Sequence, residues 1–217
     1  MALTDLVPGS AADLVVGADL ELREFRGLDL DGSDGSAGRL LECAVVDCRL
    51  DGVLFGGTRV LGSELTELRA TTLGAVRSTW RDVTFTGCRF GAFDATSSAL
   101  TDVTFSGGKF DFVNLRGATL TRVVFEDCLL GELHLADAGL QSVRFADCRI
   151  ESLEMRSATA TDVDLRGADL RGVDGVEHLR GTRISEAQLQ RLAPALAGHV
   201  GILVGDPPAA RRGRPRG

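Results

Sequence analysis

The sequence predicts an all-β solenoid with square coils, closed at its C-terminal end by a short α-helical cap. Three observations predict it. Apolar side chains recur every five residues over most of the chain, a second inward series lies two residues before the first, and the pattern repeats more closely every twenty residues. Periodicity of this kind has to be sought before secondary structure, because missing it mistakes the whole fold.

The first series runs through the multiples of five, from Leu20, Phe25 and Leu30 to Ile150, Met155, Leu165 and Leu170. Gly35 breaks it, and Ala70, Ala75, Ala95 and Ala160 fill it with a small side chain. A period of five matches neither the 3.6 of a helix nor the 2 of a flat strand, so either element would scatter these residues around its surface. A chain that turns a corner every five residues gathers them inside. The second series includes Val83, Cys88, Phe93, Val103, Val113, Val123, Cys128, Leu133 and Val143. Two residues of every five therefore point inward and three face solvent.

The twenty-residue blocks starting at Arg81, Thr101, Thr121 and Gln141 align position by position. Four pentads to a block make four sides to a coil. Stacked coils pair their backbones at β spacing, so about eight coils at about 4.8 Å each give a rod near 38 Å. The core is then a column of like residues, with Phe85, Phe105, Phe125 and Phe145 on one side. Prolines stand only at 8, 194, 207, 208 and 215, which leaves the body free of residues that remove a backbone donor.

The runs Ala18-Asp19-Leu20, Val113-Asn114-Leu115-Arg116-Gly117 and Val163-Asp164-Leu165-Arg166-Gly167-Ala168-Asp169-Leu170-Arg171-Gly172 resemble the A(D/N)LxG motif of the pentapeptide-repeat family. The resemblance implies a right-handed quadrilateral β-helix. No loop insertion interrupts the register, unlike some quinolone-resistance members of that family. The weakest stretch is 31–39, rich in Gly and Ser, where an irregular side is expected.

The chain divides into a lead-in over 1–17, a repeat body over 18–183, a helical cap or dimerisation segment over 184–205 and a basic tail over 206–217 expected to be disordered. The cap begins with Ser185 as N-cap and Gln188 three residues later, a capping-box spacing. Leu189, Leu192 and Leu196 follow at helical spacing, and Pro194 is expected to kink or split the helix. The resemblance implies that such a helix caps the coil and mediates homodimers in gyrase-inhibiting relatives.

Charge and motifs narrow the function. The net charge is −7, and the body from Ala18 to Arg180 holds 27 acidic against 18 basic residues. An anionic body disfavours direct nucleic-acid binding, which depends on Lys and Arg displacing phosphate counterions. There is no long apolar run and no export signal, so the sequence predicts a cytoplasmic protein without a membrane span. Cys48, Cys88, Cys128 and Cys148 differ by multiples of twenty and share one inward column, which reads as packing by reduced thiols. His134, His178 and His199 are scattered without partners at ligand spacing. No nucleophile, base and orienting group assemble, so neither catalytic residue, metal site nor cofactor is expected.

What remains is the surface. Positions 2 and 4 of the blocks carry an acidic stripe of Glu24, Glu42, Glu64, Asp82, Asp102, Asp162 and Asp164 against Arg122 and Arg144. Another side sets Arg49, Arg69, Arg89, Lys109 and Arg149 between acidic residues such as Asp47, Asp51 and Asp111. The expected function is a non-enzymatic protein-interaction rod. The alternative that the resemblance implies is a partial DNA mimic that binds and modulates DNA gyrase. Duplex DNA would carry roughly 22 charges over about 38 Å, far more than this body.

Overall fold

The computed structural model describes residues 3–205; the expected disordered tail over 206–217 lies outside the described residues. The body is a right-handed quadrilateral β-helix in which every strand pairing is parallel and nearly all join residues twenty apart. On one side ten strands stack in order from Val7–Pro8 to Thr182–Arg183, making about nine turns. The sequence reading of eight is short because Val7 pairs with Arg23 and Pro8 with Glu24, so residues before Ala18 already follow the coil.

The interior follows the five-residue series. Of the multiples of five between 20 and 170, all are buried except Ala70 and Ala160, which are partly exposed. Phe85, Phe105, Phe125 and Phe145 stack with ring centroids 4.6, 4.7 and 4.9 Å apart and nearly parallel planes. That spacing is the inter-strand distance itself, so the ladder costs no adjustment of backbone or rotamer.

Gly35 is no defect in the core. A Cβ there would lie 2.9 Å from Leu14 Cδ1 and 3.0 Å from Phe55 Cε1, so the larger neighbours already fill its place. The stretch 31–39 also keeps register, with Asp34 bridged to Leu54 and Arg39 to Asp19, contrary to the expected irregular side. Of its glycines, Gly32 serves a corner, with φ 69°, while Gly35 and Gly38 are buried.

The cysteine column is buried as the spacing predicts, and all five thiols are free. Cys48, Cys88, Cys128 and Cys148 each donate to the carbonyl 23 residues earlier, at Phe25, Leu65, Phe105 and Phe125. Burial pushes the Cys88 thiol up to about 12, away from reactivity. At Gly108 the column is interrupted because the Phe110 ring occupies the slot; a Cβ would come within 2.4 Å of it.

The C-terminal helix α1, Glu186–His199, carries the capping box: Gln188 N–H donates to Ser185 Oγ at 3.2 Å and Ser185 N–H to Gln188 Oε1 at 2.7 Å. Pro194 does not split it. Pro194 and Gln190 are exposed, so the carbonyl deprived of its N–H partner faces water. Gln188 also does something the helical pattern conceals. Its Nε2 donates to the carbonyls of Leu165 and Ala168, each at 2.7 Å, from the position twenty residues after Ala168 in the cysteine column. The helix thus closes the last coil by extending one of its inner ladders.

No helix among the described residues is long and apolar enough to cross a membrane.

Candidate functional site

The acidic stripe is built on a backbone device. Leu22, Glu42, Asp82, Asp102, Arg122, Ser142 and Asp162 occupy one corner in the left-handed region, with φ between 53° and 55° for all but Glu42 at 51°, and Gly62 joins them at 56°. Left-handed geometry points each side chain outward from the corner. Asp, Ser and Gly tolerate it with least strain.

Stacking then divides the stripe into two parts. At the C-terminal end the carboxylates are neutralised from within the chain. Asp102 takes a bidentate pair from Arg122 at 2.6 and 2.7 Å, and that guanidinium holds its carboxyl below the usual carboxylate range. Asp162 pairs with Arg183 at 2.7 Å. Asp164 accepts Arg166 Nε at 2.9 Å, Nη2 at 2.8 Å and the Arg166 backbone N–H at 3.0 Å, which together hold its pKa at about 2. Glu24, near the other end, is paired with Arg26 at 2.6 Å.

Glu42, Glu64 and Asp82 are different. They wall an open groove of about 470 Å³ together with Asp5, and Leu3, Leu22 and Gly62 are among the other residues that line it. None of these four carboxylates has a cation within ion-pair distance among the described residues. Gly62 makes the groove: a side chain at that corner would project between Glu42 and Asp82, and the glycine leaves the space empty. Asp5 was missed by the sequence reading because residues 1–17 show no five-residue register. Its φ of 60° is the only local sign that it sits at a corner.

The proposed dimer residues separate as well. Leu192 is buried against the body, Leu196 is half-buried and Leu189 is 48% exposed, while Gln188 takes the inward place. Beyond the helix Val200, Ile202, Leu203 and Val204 are exposed.

His134 sits in an ion-paired cluster that its spacing does not reveal. It has partners, supplied by its own and the next rung: Nδ1 lies 2.9 Å from Glu154 Oε2 and Nε2 lies 3.1 Å from Glu132 Oε2. Glu154 is 6% exposed and also takes Arg116 at 2.9 Å and Arg156 Nε at 2.8 Å. Although burial works against its charge, the Arg156 and Arg116 guanidiniums hold its pKa below the usual value. The cluster is internally balanced, with every buried side-chain polar atom among the described residues hydrogen-bonded. It clamps three rungs together and leaves no group oriented toward a ligand.

A family model described as a pentapeptide repeat region matches residues 78–155 and 98–175. No curated protein matches the chain. Among solved structures the chain is similar to HetL, a pentapeptide repeat protein involved in heterocyst differentiation regulation from the cyanobacterium Nostoc sp. strain PCC 7120. The two are 16% identical over 77% of this chain and 90% of that one, with a TM-score of 0.31. It is also similar to full-length QnrB1, a plasmid-mediated fluoroquinolone resistance protein, at 17% identity over 82% of this chain and 100% of that one, with a TM-score of 0.42. Both figures leave the assignment to the family match and to the register of the coils. Residues 78–175 therefore belong to the pentapeptide-repeat family, and the coils on either side continue the same pattern of two inward residues per pentad, four pentads per turn and corners in the left-handed region.

Proposed function

We propose that the protein is a non-catalytic interaction rod that docks a basic segment of a partner protein at the open end of its acidic corner. The observation that carries this reading is the groove of about 470 Å³ walled by Asp5, Glu42, Glu64 and Asp82, whose carboxylates have no cation within ion-pair distance among the described residues. Free carboxylates around a recess attract a Lys or Arg side chain, and their field steers its approach in a salt-dependent way. Leu3 and Leu22 add apolar surface for the stem of such a side chain.

The test is titration with a hexalysine peptide against the parent and the triple variant E42Q/E64Q/D82N. Asparagine is used at 82 because φ there is 54°, a conformation that Asn adopts with little strain. The reading expects roughly tenfold weaker binding in the variant at low salt, with the difference fading as salt rises. Equal binding by both proteins overturns it.

The narrower reading, a partial DNA mimic acting on DNA gyrase, needs free negative charge running the length of the rod. Arg122, Arg166 and Arg183 interrupt that run. A supercoiling assay with titrated protein tests it directly; gyrase modulation that the triple variant loses would restore it. A homodimer through the C-terminal helix is favoured by the exposed Leu189, Ile202 and Leu203, and light scattering of full-length protein and of L189E would decide it.

A further inference from the structure

A separate side of the rod carries a charge pattern that stacking makes costly. Register places Arg49, Arg69, Arg89 and Lys109 on four successive rungs. Like charges facing each other across about 4.8 Å repel. The chain relieves this at both ends and not in the middle. Arg49 is held by Asp29 at 3.2 Å and by Asp31, and Lys109 by Asp111 at 3.1 Å. Arg69 and Arg89 have no carboxylate within ion-pair distance among the described residues.

The reason lies two positions along each rung. Where other coils carry Asp31, Asp51 and Asp111, the middle coils carry Thr71 and Gly91. The Asp51 carboxylate is already occupied, accepting the backbone N–H groups of Thr71 and Thr72 at 3.1 Å each. Gly91 is sterically closed to an acidic side chain, because a Cβ would lie 2.6 Å from the Thr71 carbonyl oxygen. Toward the preceding corner stand Gly87 and Gly107, and Glu67 makes no ion pair with either arginine.

The floor is hollow at the same place. Ala70 takes the inward position that Phe90 and Phe110 fill in the next two coils, and it is partly exposed. A recess of about 300 Å³ lies there, with Ala70 and Thr71 between the side chains of Asp31, Arg49, Asp51, Arg69 and Arg89. Two uncompensated guanidiniums therefore edge a cavity with bare backbone beside it.

We propose that this recess is a second docking site, for a carboxylate-bearing loop of a protein partner, with one Asp or Glu side chain seated between the Arg69 and Arg89 guanidiniums. A guanidinium fork matches a carboxylate in two parallel hydrogen bonds, and two forks one rung apart can share it. The acidic residues around the recess select for a short anchor. Asp31 and Asp51 line the recess with Arg49, Arg69 and Arg89, so its lining carries one positive charge in excess, which a single carboxylate matches and an extended polyanion such as duplex DNA does not.

The site is distinct from the acidic groove and is tested separately. Full-length protein is titrated with a hexaglutamate peptide while the arginine Nε–Hε signals are followed by NMR. Selective, saturable shifts of Arg69 and Arg89 are expected. The R69Q/R89Q variant should lose about fivefold or more in affinity, since exposed charge pairs are individually weak and act here together. R59Q/R81Q, on another side, and E42Q/E64Q/D82N should retain binding. Uniform shifts over the surface arginines, no shift at all, or tighter binding of a duplex oligonucleotide than of hexaglutamate would each overturn the proposal.

Discussion

Inside the rod, residues one rung apart are interchangeable; on its corner they are not. Phe85, Phe105, Phe125 and Phe145 repeat the same contact at the same spacing. Glu42, Asp82, Asp102 and Asp162 share a backbone conformation just as closely, yet the first two border an open groove and the last two are ion-paired. The coil decides where a side chain points. Whether its charge is available to a partner depends on which residue the next rung places beside it, as Arg122 beside Asp102 and Gly62 beside Glu42 demonstrate.

The comparison is broken most severely from the inside. Phe125→Ala removes a ring stacked on both faces and should cost about 3–5 kcal/mol of stability, measured by chemical denaturation. An interior that tolerated it would mean that the ladder is not what holds the coils together.

Next comes the end of the inner ladder. Gln188→Ala takes the side-chain donor from the Ala168 carbonyl and one of two donors from the Leu165 carbonyl, which keeps the Ala168 N–H, and removes half of the capping box, an expected loss of roughly 2 kcal/mol. Hydrogen exchange should localise the opening to the last coil, with the Phe ladder still protected.

The corner should respond in function more than in stability. Gly62→Arg copies the Asp102 and Arg122 arrangement into the groove. It should abolish hexalysine binding while costing only about 1 kcal/mol for the left-handed backbone, since Arg77 and Arg122 already adopt φ of 56° and 53°. If binding survives, the groove is not the docking site.

The smallest effect concerns pH. Asp164 has a folded-state pKa of about 2, below its unfolded value of 3.8, so the charged form is favoured by folding. Its contribution is fully present above pH about 4 and is lost as pH falls toward 2. Arg166→Gln should return the Asp164 pKa toward about 3.9, read by carbon NMR of the carboxyl, and flatten that part of the acid-stability curve.

Much of this was legible because the period carries the information. A residue's place in the pentad tells whether it points in or out, so the buried cysteine column, the Phe ladder and the outward carboxylates could be read from spacing. The capping box at Ser185 is equally local. The ion-paired setting of His134 was not legible, for the complementary reason. Its buried partner Glu154 is twenty residues away, a neighbour only once the coils stack.

By itself, then, the sequence determined the coil: five residues per side, four sides per turn, which positions are inside, and where the body gives way to a helix. Steric period and hydrophobic burial suffice for that, since each depends on one residue and its own pentad. Only the tertiary structure decided which charges pair among the described residues, that Asp5 joins Glu42, Glu64 and Asp82 around one groove, that Arg69 and Arg89 have no carboxylate beside them among those residues, and that Gln188 rather than a leucine closes the last coil. Those are properties of neighbours in different rungs and of the rod's ends. Charge compensation and steric closure act over a few ångströms in space, and stacking alone determines which residues come that close.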